Sequence, residues 1–120
     1  HITIEHVRSG GSSPSKGAGQ NTKFELAACA TEVAAGQLFA DAALEAHDAG
    51  ELTAADSAAV KLYCSELQGR VIDRCLQLHG ISGCESDSPI ARAFADARVS
   101  RIYGGSSEIM KIIVAKSLGL

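Results

Sequence analysis

Residues 96–120 read DARVSRIYGGSSEIMKIIVAKSLGL, and this stretch decides the fold. It divides into the end of one helix, a glycine break at Gly104–Gly105, a hydroxyl cap at Ser106 or Ser107, and a terminal amphipathic helix carrying Ile109, Ile112, Ile113 and Leu118. Glycine takes the left-handed backbone that ends a helix, and a serine hydroxyl accepts the orphan amides that open the next. The junction also offers free N–H groups, two hydroxyls and little bulk at a helix start. Such a place can hold a phosphate or a flat polar ring.

The same punctuation recurs upstream. Ser88–Pro89 starts the preceding helix, because proline at the first helical position loses no hydrogen bond. Ala91, Phe94, Ala95 and Val99 are expected to face inward there. Thr53 with Asp56 makes a capping box for a helix running to His79, with Val60, Cys64, Leu67, Val71, Cys75 and Leu78 on one stripe and Gly80 as its stop. Thr22 with Glu25 reads as another capping box. That helix is predicted to reach about Ala49, with Phe24, Ala27, Ala28, Val33, Ala34, Leu38 and Ala42 inward and Gly50 after it. Four helices with short connections predict an all-α, antiparallel, up-and-down four-helix bundle over residues 20–120.

Residues 1–19 are expected to be an irregular or truncated segment. Arg8 to Gly19, RSGGSSPSKGAG, has linker composition and no apolar periodicity. Before it, ITIEHV reads as a short strand or as the last turn of a truncated helix.

Composition narrows the function classes. A chain of 120 residues fits one domain, and a formal charge of -3 argues against a nucleic-acid partner. Hydrophobic residues make up 46% but aromatic residues only 4%, which suits closely packed helices rather than a β-sandwich. No apolar run is long enough to span a bilayer, and the first residues lack the apolar core of a signal peptide. Cys29, Cys64, Cys75 and Cys84 show no CxxC spacing, so reduced thiols in a cytoplasmic protein are expected rather than disulfides or a zinc site.

Little chemistry stands out locally. His1, His6, His47 and His79 are dispersed and have no ligand-spaced partner, so no metal site is expected. Ser106 and Ser107 have no base placed by sequence, and the Gly80–Gly83 turn is by itself an ordinary helix stop.

Five ordered motifs add what local reading cannot. Gln20-Asn21-Thr22-Lys23-Phe24, Cys75-Leu76-Gln77-Leu78-His79-Gly80, Pro89-Ile90-Ala91-Arg92, Asp96-Ala97-Arg98-Val99 and Arg101-Ile102-Tyr103-Gly104-Gly105-Ser106-Ser107-Glu108-Ile109 stand in the order and spacing of one family. In these residues the chain resembles the C-terminal helical domain of the acyl-CoA dehydrogenases, flavoenzymes that desaturate fatty acyl thioesters. The Gly-Gly form of the tail is most similar to the long-chain branch and its bacterial relatives. The resemblance covers about Gln20 to Leu120, the last quarter to third of a typical member.

That resemblance implies FAD, held with other domains or a neighbouring subunit. It implies that Gln20 reaches the adenine half of a neighbour's FAD, and that Gln77, Leu78, His79, Gly80 and Ile81 meet the same cofactor's pyrophosphate region. Ser106, Ser107 and Glu108 would meet the cofactor held mainly by the other domains. Tyr103, Gly104 and Gly105 would line the thioester end of an acyl-CoA pocket. Implied partners are a second copy in a dimer or tetramer, or a partner chain supplying the missing domains, and electron-transfer flavoprotein; neither nucleic acid nor membrane is implied.

The departures bear on activity. Many members place the catalytic glutamate where this chain has Gly104, so the chain supplies no catalytic residue there; Glu5 is the one remaining candidate. An Arg-x-x-Phe-Gly segment expected near residues 10–14 is replaced by Gly10-Gly11-Ser12-Ser13-Pro14, and the usual Gly-Gly-x-Gly-Tyr corner is Gly80-Ile81-Ser82-Gly83-Cys84. The expected function is the C-terminal domain of a fatty acyl-CoA dehydrogenase of β-oxidation, inactive alone. The alternative is a non-catalytic helical bundle serving in assembly.

Overall fold

Thr53 opens the central helix as its sequence predicts: Oγ1 accepts the Asp56 amide at 3.1 Å and donates to the Asp56 carboxylate. The computed structural model describes residues 1–11 and 19–120. Its helices are α1 (Ile2–Arg8), α2 (Gln20–Asp48), α3 (Ala54–His79), α4 (Pro89–Val99) and α5 (Ser107–Ser117), with a 3-10 turn over Gly80–Cys84. Gly80 closes α3 at φ 62°, a value that favours glycine, and Pro89 sits in the first turn of α4.

α3 is the axis against which every other helix packs. Arg74 of α3 bridges Glu25 and Glu32 of α2 at 2.9 and 2.6 Å, while Phe39 and Tyr63 meet edge to face at 5.8 Å. Rising numbers on α2 therefore match falling numbers on α3, and the pair is antiparallel. α4 returns along α3, bringing Arg101 just beyond it over Gly69. α5 then runs with α3, as Lys61 to Gly105 and Lys111 to Glu66 (3.5 Å) record. The path is all-helical and up-and-down, as predicted.

Among the described residues the buried apolar core is Cys29, Ala58, Leu67, Ile90, Ala97 and Met110, half of them small side chains. Small residues let the helices close in: a Cβ on Gly36 of α2 would fall 2.5 Å from Leu67 Cδ2.

Several expectations are corrected. The choice left open at ITIEHV resolves to helix: residues 2–8 form α1, which docks on α3 through His6, whose ring stacks on His79 at 4.0 Å, and through Thr3. Residues 12–18, which include most of the predicted linker, lie outside the described residues. Thr22 does not cap α2: the helix begins at Gln20 with Gly19 in the cap position and no side-chain bond, and Glu25 pairs with Arg74 instead.

Facing also differs. On α2 the expected inward residues Phe24, Ala27, Ala28, Val33, Ala34, Leu38 and Ala42 are exposed, whereas Cys29 and Gly36 are buried and Glu25, Glu32 and Ala40 half-buried. On α4 the expected Phe94, Ala95 and Val99 are exposed, and Ile90 and Ala97 take the core. On α5 Ile109, Ile112 and Leu118 face out while Ser107 and Met110 are buried. α2 and α5 each meet α3 along one narrow strip, so the strip is chosen by close fit and ion pairing, not by the largest apolar side chains.

Candidate functional site

The junction between α4 and α5 is built by the backbone. Tyr103 N–H donates to Val99 O at 3.1 Å, winding the end of α4 one turn further. Gly104 and Gly105 then take φ of 63° and 93°, where a Cβ would strain the chain. Ser107 N–H reaches back to Arg101 O at 3.1 Å and closes the loop. From 44 residues away, the Lys61 ammonium donates to Gly105 O and ties the loop to α3.

Side chains complete the site. Ser106 is the cap residue of α5, and its hydroxyl receives no amide of the helix. The Glu108 carboxylate is held below its ordinary pKa first by its own backbone amide and then by Ser106, so it stays ionised near neutrality. Ser107 is 7% exposed, and its Oγ has no hydrogen-bond partner among the described residues; Arg101 Nε shares that condition. Tyr103 is exposed, and the space around the Cβ position of Gly104 is open to at least 4 Å. An exposed ring, open glycine backbone, an ionised carboxylate and an unsatisfied buried hydroxyl thus lie within six residues. A polar planar ligand can approach this backbone closely.

A second group sits at the far end of α3. Gln77, Gly80 and Ile81 line a shallow cleft of about 340 Å³ with Asp73, Leu76 and Cys84. Leu78 is half-buried and points elsewhere on the helix. His79 is 5% exposed: Nε2 lies 3.2 Å from Thr3 Oγ1 and the ring is stacked on His6. Burial, and then the neighbouring His6, push its pKa below the ordinary value. The imidazole belongs to the docking of α1. Gly83 is fixed for packing, since a Cβ there would come within 2.7 Å of His79 Cβ.

Gln20 is exposed at the first position of α2. Lys61 and Gln77 mark the two groups, and sixteen residues of α3 separate them by about 24 Å. The structure therefore gathers Tyr103–Glu108 at one end of α3 and Gln77–Ile81 at the other. Glu5 stands with the second group, exposed on α1 in a cleft shared with His6, His79 and Asp87, and is kept apart from Gly104. Sequence reading missed Lys61, because a lysine in a helix carries no local sign of a loop 44 residues later.

Comparison with known proteins agrees with this layout. The family model described as "Acyl-CoA dehydrogenase, C-terminal domain" matches residues 4–119. The mitochondrial long-chain specific acyl-CoA dehydrogenase of Rattus norvegicus is 39% identical over 99 residues, which are 82% of this chain and 23% of that protein. The acryloyl-CoA reductase (NADH) of Anaerotignum propionicum is 35% identical over 99 residues, 82% of this chain and 25% of that protein. Among solved structures, the acyl-CoA dehydrogenase of Geobacillus kaustophilus superposes with a TM-score of 0.90 at 35% identity, covering 99% of this chain and 32% of that one. The butyryl-CoA dehydrogenase of Megasphaera elsdenii, at 22% identity and a TM-score of 0.91, shares the fold, with 99% of this chain and 31% of that one covered. The chain thus spans about a quarter to a third of the length of these relatives, and it belongs to the acyl-CoA dehydrogenase family, as the C-terminal helical domain.

Proposed function

We propose that this chain is the C-terminal part of a flavin-dependent acyl-CoA dehydrogenase acting on fatty acyl thioesters, and that its own residues bind and orient rather than abstract the proton. The observation that carries this reading is the α4–α5 junction: two left-handed glycines, held by Lys61, in front of a helix start with an unsatisfied buried hydroxyl. Tyr103, Gly104 and Gly105 border the thioester; the absent Cβ of Gly104 leaves the main chain open to substrate, while the space at Gly105 is taken by Met110. Ser106, Ser107 and Glu108 meet the flavin in this reading, and the orphaned Ser107 hydroxyl is a group such a ligand would satisfy. When bound, the flavin supplies the hydride acceptor for α,β-desaturation.

Gly104 has no side chain to take the α-proton, and Glu5 lies at the other end of α3. In this reading Glu108 is a first-turn residue of α5, its pKa lowered by its own amide, and the base is contributed by a part of the enzyme outside this chain. Gln20, Gln77, Gly80 and Ile81 meet the flavin of a neighbouring subunit in this reading, with His79 acting through the position of its backbone alone. Electron-transfer flavoprotein is the proposed acceptor of the electrons. The reading is tested by a chimaera in which this chain replaces the corresponding third of the Geobacillus kaustophilus enzyme. Retention of a yellow, flavin-loaded protein through gel filtration is expected; a folded but colourless protein would refute it.

A second reading is that the domain serves only in assembly. Phe24, Leu38, Leu44 and Ile112 are all at least 49% exposed, an unusual outlay of large apolar side chains for a monomer. It predicts a concentration-independent oligomer of the chain by itself, and a monomer on gel filtration would count against it.

A further inference from the structure

All four cysteines are free thiols, and two of them share one cleft. The cleft, about 470 Å³, is formed by α1, α2 and α3; Cys29 of α2 and Cys75 of α3 both line it, with Leu26, Ala30 and Val71 beside them. The antiparallel register sets them across from one another. Gly36 meets Leu67, Phe39 meets Tyr63, and Glu25 and Glu32 bracket Arg74, so Cys29 lies between the two glutamates that grip the residue just before Cys75. Each is close enough for the charge of a Cys75 thiolate to be felt at Cys29. Cys29 and Cys75 thus stand on facing walls of one cleft, where a modest closure can bring their Cβ atoms to the roughly 4 Å a disulfide requires.

We propose that Cys29 and Cys75 form a redox-sensitive cross-link that staples α2 to α3 when the chain meets a low-molecular-weight disulfide. Cys75, half-buried on the cleft wall, is the point of entry. Its thiolate attacks the small disulfide, forming a mixed disulfide and expelling one small thiolate. Cys29, 5% exposed, then loses its proton to solvent, attacks the Cys75 sulfur and expels the second small thiolate. Two protein thiols are oxidised and one small disulfide is reduced to two thiols. Burial raises the pKa of Cys29, which suits a resolving rather than an attacking role, while the Arg74 guanidinium partly offsets that effect. The other thiols have different surroundings: Cys64 directs its Sγ to Gly36 O at 3.8 Å, and Cys84 is exposed beyond the end of α3.

The test treats the chain with oxidised glutathione, blocks remaining thiols with N-ethylmaleimide and maps peptides without reduction. Trypsin leaves Cys75 and Cys84 together on residues 75–92, so a Cys84→Ser variant makes the assignment. The expected product in that variant joins the Cys29 and Cys75 peptides, about 2 Da lighter than their sum through loss of two thiol hydrogens. The same treatment raises its thermal midpoint, because the cross-link closes a long loop in the unfolded chain. Cys75→Ser is expected to give no linked peptide. Glutathione adducts on separate cysteines in place of the Cys29–Cys75 link would overturn the proposal. So would a link that persists in Cys75→Ser. Circular dichroism of each variant, matching the parent before oxidation, separates these outcomes from a failure to fold.

Discussion

A methyl group added at Gly83 would lie 2.7 Å from His79 Cβ and 3.3 Å from the Leu76 carbonyl oxygen, neither of which can swing away. Gly83→Ala is expected to lower stability by about 2 kcal/mol, the range for overpacking a tight site. Gly104 has the opposite difficulty: there is space, but φ is 63°. Gly104→Ala is expected to cost about 1–2 kcal/mol through backbone strain, and Gly104→Asn less, since asparagine tolerates this region. Urea midpoints for the three variants check the order. His79 adds a pH dependence. Its folded pKa lies below the unfolded value of 6.5, so unfolding takes up a proton and the group's contribution is present above that value. Stability is expected to fall as pH drops from 7.5 to 5.5, and His79→Gln to flatten that slope in urea titrations at the two pH values.

Among the helices, local signals were legible and facing was not. Thr53–Asp56, Gly80 and Ser88–Pro89 marked helix ends correctly because capping and backbone preference act within four residues. α1 stayed open between strand and helix because seven residues make a marginal helix alone, and the stacking of His6 on His79 comes from 73 positions away. The inward faces of α2, α4 and α5 were misread because Phe24, Phe94 and Ile109 are larger than the Gly36, Ala97 and Ser107 that make the contacts. In the site, the Gly104–Ser107 junction was visible from glycine and serine alone; its tether, Lys61, was not. Threonine offers a clean comparison. Thr53→Ala removes a formed cap and is expected to cost about 1 kcal/mol, whereas Thr22→Ala, at a cap that does not form, is expected to change the urea midpoint little. Arg74→Gln is expected to speed amide exchange along α2, with the difference shrinking in high salt, because the two carboxylates it holds are partly solvated.

At the scale of the molecule, 53 Å long and about 25 Å across, a slim helical stack leaves wide apolar faces uncovered. That is consistent with a domain whose relatives are three to four times its length. Membership in the family rests on residues 4–119, while in the proposed function activity depends on parts outside this chain, since Gly104 has no side chain to act as a base. The most direct test is anaerobic titration of the flavin-loaded chimaera with a long-chain acyl-CoA, following the visible absorbance, in the parent and in Glu5→Gln. The account predicts that substrate bleaches the flavin in both, because the proton is removed by a residue from outside this chain. Bleaching that disappears in Glu5→Gln while the flavin stays bound would contradict it, and so would a flavin-loaded chimaera that substrate leaves unchanged.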